Sequence, residues 1–352
     1  MTLLLTNDDV AQVLDMPASL KALEPAYREL ATGGAVLRHQ SQTYLPGPLP
    51  DSSYCLKTVE GGSQSLGVMA IRMTSDVLRG RQVEGRFRRE KVPAAPGGRF
   101  LGLVLLFSLE TGELLAIMPD GIIQRLRVGA SSALAARCLA RGDARTAGLI
   151  GAGHQAEAQL RGLACVRELS SVRVYSPTAG RRAEFAARMS HELRIHIEAV
   201  ASARVAVQDA DVVVAATNSG EPVVEASWLE PSMHVSFIRE FEADDATLER
   251  ADVLVVHTKQ GEIDHYTPRG HESLADLQRG RGYPWQRYPE LADLVGGSAP
   301  GRSDAKQLTM FMNNFGIGIQ FAALGACAWR ECHARGLGQD IPSDWFLESL
   351  QP

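Results

Sequence analysis

Apolar positions change their spacing twice along the chain, and each change marks a change of element type. In the first 35 residues they recur at helical intervals. Val10, Val13 and Leu14 line a short helix that Thr6 or Asn7 can cap, and Leu20, Leu23, Ala26, Tyr27 and Leu30 line a second. Pro17 suits the first turn of that second helix, and Gly33-Gly34 end it. From about 38 to 118 the pattern becomes short apolar runs between turn residues, which predicts antiparallel strands at 42–45, 54–59, 67–74, 100–108 and 114–118. A helix over 121–140 follows. The spacing then changes again, to strand-like runs at 146–150, 171–175, 196–200, 211–216, 234–238 and 252–257, most of them separated by helical stretches. Runs such as Val212-Val213-Val214 and Val253-Leu254-Val255-Val256 are apolar on both faces, as strands of a covered parallel sheet are. After 258 the chain is irregular until a last helix at about 316–335, which Gly336 closes.

Alternating strands and helices imply a parallel, doubly wound sheet. The expected fold is therefore α/β: a Rossmann-type doubly wound parallel sheet over 123–309, plus a second α+β domain made from both chain ends, 1–122 and 310–352. Composition agrees with a globular protein: 352 residues, 45% hydrophobic and 22% charged. The longest uninterrupted apolar run, 101–107, falls far short of the roughly 20 residues that span a bilayer. The N-terminus has no basic region and carries Asp8 and Asp9, unlike a secretory signal, so a cytoplasmic protein is expected. Five cysteines, none at CxxC spacing, predict reduced thiols and neither a disulfide framework nor a metal site. A net charge of −5 argues against nucleic acid as a partner. One segment departs from this. Between Arg79 and Arg99 lie seven cations and two acids, either a solvated hairpin or a cationic flap near an anionic ligand.

The most informative motif is Gly151-Ala152-Gly153-His154-Gln155-Ala156, which follows a predicted strand and opens a predicted helix. Gly151 permits the tight turn, Gly153 lets the backbone approach a pyrophosphate, and Ala156 lets the helix pack closely on the strand. The helix N-terminus then presents unpaired N–H groups to the phosphates. At the end of the next strand an NAD site usually carries an acid for the ribose 2′-hydroxyl. Here the chain reads Tyr175-Ser176-Pro177-Thr178-Ala179-Gly180-Arg181-Arg182, with no acid, two small hydroxyl donors (Ser176 and Thr178) and two arginines. NADP(H) is expected over NAD(H). Thr217 and Asn218 follow a later strand where the nicotinamide ribose would pass, although simple turn chemistry accounts for them equally well.

These residues, together with Met118-Pro119-Asp120-Gly121, Arg127-Val128-Gly129-Ala130-Ser131 and Pro300-Gly301-Arg302, resemble the ornithine cyclodeaminase/mu-crystallin family over nearly the whole chain. The resemblance implies a discontinuous dimerisation and substrate domain around a Rossmann domain, a homodimer, a nicotinamide cofactor and a small amino or imino acid substrate. Some members cyclise ornithine with the cofactor as a transient hydride store; others reduce imines or dehydrogenate amino acids, and mu-crystallins also bind ligands. It implies cations on the substrate carboxylate: Arg38, Arg127 and, where the family has a lysine, Arg72, with Lys57 as the competing candidate. Asn313, before the last helix, either reaches the substrate or caps that helix. Arginine does not deprotonate, so Arg72 can clamp but not move a proton. The family's proton-transfer aspartate aligns with Phe241, leaving Glu240 or Lys57 for that role. The expected activity is an NAD(P)-dependent imine reductase or amino-acid dehydrogenase. The alternatives are a redox-neutral cyclodeaminase and a non-catalytic NADPH-dependent binder.

Overall fold

The structure is a computed structural model that describes residues 1–83, 86–259, 263–278, 280 and 282–349, with backbone alone for 81–83, 86–89, 277 and 278. The chain divides into two compact units, Met1–Gln124 with Glu262–Arg279 and Gly316–Pro352, and Arg125–Gly261 with Gly280–Phe315.

The first unit begins with β1 (Thr2–Leu4), α1 (Asn7–Val13) and α2 (Met16–Ala31). Thr6 and Asp9 cap α1 reciprocally: the Asp9 N–H donates to the Thr6 hydroxyl and the Thr6 N–H to the Asp9 carboxylate. Asp15 caps α2 by accepting from the Ala18 N–H at 2.8 Å. Then come β2 (Ala35–Leu37), β3 (Ser41–Pro46), β4 (Ser52–Ser63), β5 (Val68–Val83), β6 (Arg86–Val92), β7 (Leu101–Ser108) and β8 (Leu114–Pro119). Strands β3, β4, β5, β7 and β8 lie where the apolar runs predicted, with β4 and β5 extending well beyond them, whereas β2 and β6 had no predicted counterpart.

Through α3 (Gly121–Leu139) the chain passes into the second unit. There β9 (Thr146–Ile150), α4 (His154–Val166), β10 (Ser171–Tyr175), α5 (Ala179–Leu193), β11 (His196–Ala199), α6 (Ala203–Val207), β12 (Val212–Ala215), β13 (His234–Phe237), α7 (Asp245–Leu248) and β14 (Val253–Val256) follow the expected alternation. The later elements are β15 (Asp264–Tyr266), α8 (Leu291–Gly296), β16 (Thr309–Met312), α9 (Gly318–Arg335) and β17 (Gln339–Ile341).

The second sheet is parallel, in the order β11-β10-β9-β12-β13-β16-β14. Its order contains one surprise. The sequence places the chain from 310 onward in the first domain, whereas β16 lies between β13 and β14, so the boundary falls at Gly316. The four residues Thr309–Met312 are too short a run to announce a strand; only their partners, about 75 and 56 residues earlier, define them. Segment 262–279 likewise joins the first unit, where β15 pairs with β3.

The first sheet runs β15-β3-β4-β5-β7-β8-β1-β17, with β2 on β4 and β6 on β5. Helix α9 lies on one face. A Cβ on Gly318 would sit 1.9 Å from the Glu60 carbonyl carbon, and one on Gly61 would sit 2.4 Å from the Ile319 nitrogen, so backbone meets backbone only because both are glycine. On the opposite face Leu56, Met69, Ile71, Met73, Val77, Leu103 and Leu105 are all only half-buried. Among the described residues no helix is long and apolar enough to cross a membrane.

Two histidines are buried in the second unit. The Nδ1 of His234 is 3.0 Å from the Thr309 hydroxyl, which itself donates to Leu139 O, so that nitrogen carries the proton. His257 Nδ1 bonds to Phe315 O. Burial pushes both pKa values down from 6.5 to about 3, and the Arg302 and Arg167 charges add to the effect at His234. Both imidazoles are therefore neutral in the fold, and unfolding lets them charge below pH 6.5. Their contribution to stability is complete above 6.5 and is lost as the pH falls towards 3. At pH 5 the loss is about 2 kcal/mol per histidine. The urea midpoint should drop between pH 7.5 and 5, and His257→Gln should flatten that slope; an unchanged midpoint would contradict the assignment.

Candidate active site

The nucleotide turn is clamped from both sides. Gly151 follows β9 with φ +120°, and its N–H donates to Tyr175 O at 2.8 Å, at the end of β10. On the other side the Ala216 N–H donates to Ile150 O at 2.8 Å, and a Cβ on Gly151 would meet Ala216 O at 2.2 Å. Gly153 differs. It sits at the N-cap of α4 with φ −107°, and a Cβ there meets nothing within 4 Å. No side chain caps α4, and its first backbone bond runs from Glu157 N to Gly153 O. The N–H groups of His154, Gln155 and Ala156 precede that bond and remain available to an anion. The His154 ring is exposed, Ala156 is buried in the core, and the Gln155 Oε1 is buried with no partner among the described residues. An open cradle beside an uncapped helix start is what a dinucleotide pyrophosphate requires.

Beyond β10 the loop contains no carboxylate through Arg182. Ser176 is buried, while Thr178 and Arg181 are exposed. Arg182 donates to Ser176 O at 2.9 Å and lies over the Tyr175 ring at 5.7 Å, which orients this arginine along the loop.

At the ends of β12 and β13 the organising residue is Glu242, which the sequence reading passed over for Glu240. The Glu242 carboxylate is fully buried. One oxygen accepts from the Thr217 N–H (2.6 Å) and hydroxyl (2.8 Å), the other from the N–H groups of Ile238 (2.9 Å) and Arg239 (3.0 Å). Burial pushes its pKa up, against four donors that favour the anion. The Thr217 hydroxyl is thereby turned inward as a loop brace, and Asn218 beside it is exposed. Glu240 is also buried, its Oε1 accepting from the Trp285 Nε1 at 3.2 Å. Asn313, at the end of β16, gives its Nδ2 protons to Val128 O and the Ser132 hydroxyl, both at 3.1 Å. Its Oδ1 is buried and has no partner among the described residues. Arg127 is buried, and its charge acts on His257.

In the first unit the register puts Lys57, Arg72, Thr74, Asp76 and Gln42 on one face of the sheet: Gln42 opposes Lys57, Lys57 opposes Thr74, and Arg72 and Asp76 flank Thr74 at two-residue spacing on β5. Arg72 is already paired. Its Nε (2.8 Å) and an Nη (2.6 Å) both reach Asp120 Oδ2, and its guanidinium lies 5.4 Å from the Phe321 ring centre. Lys57 is half-buried. Arg38 pairs with Glu60 at 2.9 Å, with a side chain 54% exposed. Gln320 beside Phe321 accepts from Ile317 N and donates to the Tyr27 hydroxyl, which is a structural role. In the basic segment Arg79 pairs with Glu90 and Lys91 with Asp76, and Arg99 donates to Pro96 O. The side chains of Arg81, Arg86, Arg88 and Arg89 lie outside the described residues.

The sequence profile of the Ornithine cyclodeaminase/mu-crystallin family matches residues 55–326, and the chain belongs to that family. An uncharacterized cyclodeaminase of Sinorhizobium fredii is 29% identical, over 95% of this chain and 97% of its own length. Iminosuccinate reductase of Paracoccus denitrificans is 30% identical, over 68% of this chain and 72% of its own. Among solved structures, the Δ1-pyrroline-2-carboxylate reductase of Thermococcus litoralis, in complex with NADH and L-proline, superposes with a TM-score of 0.77 at 27% identity, covering 97% of this chain and all of that one. The chain is accordingly an enzyme of a nicotinamide-dependent class that comprises oxidoreductases and cyclodeaminases.

The two glycines of the turn separate fold from binding. Gly153→Val places its side chain in open space at an allowed φ, so the apo protein should melt within a few degrees of the parent while NADPH binding by calorimetry disappears. Gly151→Ala, at φ +120° and against Ala216 O, should cost about 2–3 kcal/mol of stability with or without nucleotide. Retained NADPH affinity in the Gly153→Val protein would make the turn purely structural.

Proposed function

We propose that this chain transfers hydride between NADP(H) and a small amino or imino acid, as an imine reductase or amino-acid dehydrogenase. The observation that carries the reading is the open phosphate cradle at Gly153, joined to a second-strand loop that holds arginines and no acid. The 2′-phosphate of NADP(H) would meet Arg181 and the braced Arg182, whereas the 2′-hydroxyl of NAD(H) finds no carboxylate acceptor there. When bound, the cofactor supplies or accepts the hydride at its nicotinamide ring.

The substrate end falls to the first sheet. Arg72, Lys57 and Lys91 bring three cations to this face, and Asp120 and Asp76 two carboxylates, so the group as a whole favours an anion. Arg72, held by Asp120, supplies a fixed positive edge and not a mobile clamp. Lys57 is the residue that holds the substrate carboxylate or moves the proton; Arg127 and Arg38 are secondary candidates. Glu240 and Glu242 are both engaged with their own surroundings after β13. That favours net redox chemistry over a redox-neutral cyclodeaminase, which needs a proton-transfer carboxylate in that loop. Five free thiols suit a reducing, cytoplasmic setting.

The test is NADPH oxidation with Δ1-pyrroline-2-carboxylate and related imines. NADPH should bind at least tenfold more tightly than NADH, Arg181→Ala with Arg182→Ala should narrow that ratio, and Lys57→Met should lower kcat by ~10²-fold. Equal affinities for the two nucleotides would overturn the cofactor preference, and unchanged turnover in the Lys57→Met enzyme would overturn its role.

The half-buried apolar face of the first sheet supports a homodimer built on it, because a contiguous apolar face left partly open to solvent marks an interaction surface. Light scattering should give twice 38.0 kDa, and Ile71→Lys should shift it towards the monomer mass. A parent protein at the monomer mass would exclude the dimer.

A further inference from the structure

The face that carries Lys57 continues past it into a row of polar side chains with hydrogen-bonding atoms that the chemistry above leaves open. On this face the Gln42 Nε2, the Thr74 Oγ1 and the Asp76 Oδ1 are all buried, and none has a hydrogen-bond partner among the described residues. They are nevertheless held in place. Gln42 accepts at its Oε1 from the Tyr44 hydroxyl and more weakly from the Cys55 thiol, which turns both Nε2 protons away from that contact. The Tyr44 hydroxyl is in turn 3.2 Å from His265 Nδ1. Asp76 gives its other oxygen to Lys91 Nζ at 2.8 Å. The row therefore offers an oriented donor, a hydroxyl and an oriented acceptor. Along β5 the Asp76 position lies roughly 7 Å beyond the Thr74–Lys57 rung.

We propose that Gln42, Thr74 and Asp76 form the distal, specificity-determining end of the substrate site and take a hydrogen-bonding substituent, a hydroxyl or an ammonium, on the amino or imino acid. This rests on the reading of Lys57 and its neighbours as the carboxylate end. The physical reason is asymmetric. A substrate that ends in a bare methylene leaves buried donors and acceptors unmet, whereas one that carries a donor group satisfies them. A site built this way rejects the unsubstituted analogue by a factor of ten or more. The acceptor is already balanced by Lys91, so a neutral hydroxyl fits as well as a cation does.

Two matched pairs of ligands test this on the full chain saturated with NADP+: L-proline against trans-4-hydroxy-L-proline, and L-norvaline against L-ornithine, with Kd measured by calorimetry. In at least one pair the polar member should bind tenfold or more tightly than its apolar sibling. Thr74→Val, which keeps the side-chain shape, should bring that ratio close to one while NADP+ affinity stays at the parent value. Gln42→Leu is the second variant, should Thr74→Val fold poorly. Apolar siblings that bind as tightly as the polar ones would overturn the subsite alone. If none of the four binds while NADP+ does, the amino- or imino-acid reading itself fails, and the subsite with it.

Discussion

Two half-buried arginines collect the carbonyl oxygens at the end of α3, and the position of the nucleotide turn depends on them. Arg167 donates through Nη2 to Ala136 O (2.9 Å), Arg137 O (3.1 Å) and Ala140 O (2.8 Å), and through Nε to Arg141 O (2.8 Å). Arg302 donates to Leu139 O (2.7 Å), and also to Met233 O before β13 and Gln307 O before β16. The last carbonyls of a helix have no partners of their own and carry the negative end of its dipole, so a guanidinium is the natural cap. Burial pulls both arginines below their ordinary pKa, yet no physiological pH discharges them. These contacts join the entry to β9 with the strands two and three places away. Asp211 completes the joint from β12 by accepting from the N–H groups of Arg145 (2.8 Å) and Thr146 (2.9 Å).

At the opposite, carboxyl ends of the same strands a carboxylate does the corresponding work. Glu242 gathers four donors from the loops after β12 and β13 and so ties those two loops together. The division of labour is clear. Gly151 and Glu242 build the rim of the crevice and Gly153 leaves it open beside the uncapped start of α4, with the buried Ser176 and the braced Arg182 on the neighbouring loop. The Thr217 hydroxyl, expected near the cofactor, donates to Glu242 and so braces this loop.

The first sheet solves a different problem: it keeps charged groups on a largely covered surface. Each buried charge there has a fixed counter-charge, Arg72 with Asp120 and Asp76 with Lys91, as burial demands. Among the described residues, the unpartnered polar atoms of Gln42, Ser53, Thr74 and Asp76 share this face, while Arg79 Nε is left on the other. A core built only for stability would have replaced them with methyl groups.

The sequence by itself determined most of the element types, the two-domain layout, the parallel sheet and the glycine turn, because each of these is a local pattern: a period, a cap or a φ that only glycine tolerates readily. It also pointed to the acid-free loop after β10 and to the crowd of cations before residue 130. Only the tertiary structure decided that Thr309–Met312 is a strand between β13 and β14, that Arg72 is spent on Asp120, that Glu242 and not Glu240 organises the crevice loops, and that Gln42, Thr74 and Asp76 share a face with Lys57. These are pairings between residues two to seventy-five positions apart. Strand register and burial create them, and neither leaves a periodic trace in the chain.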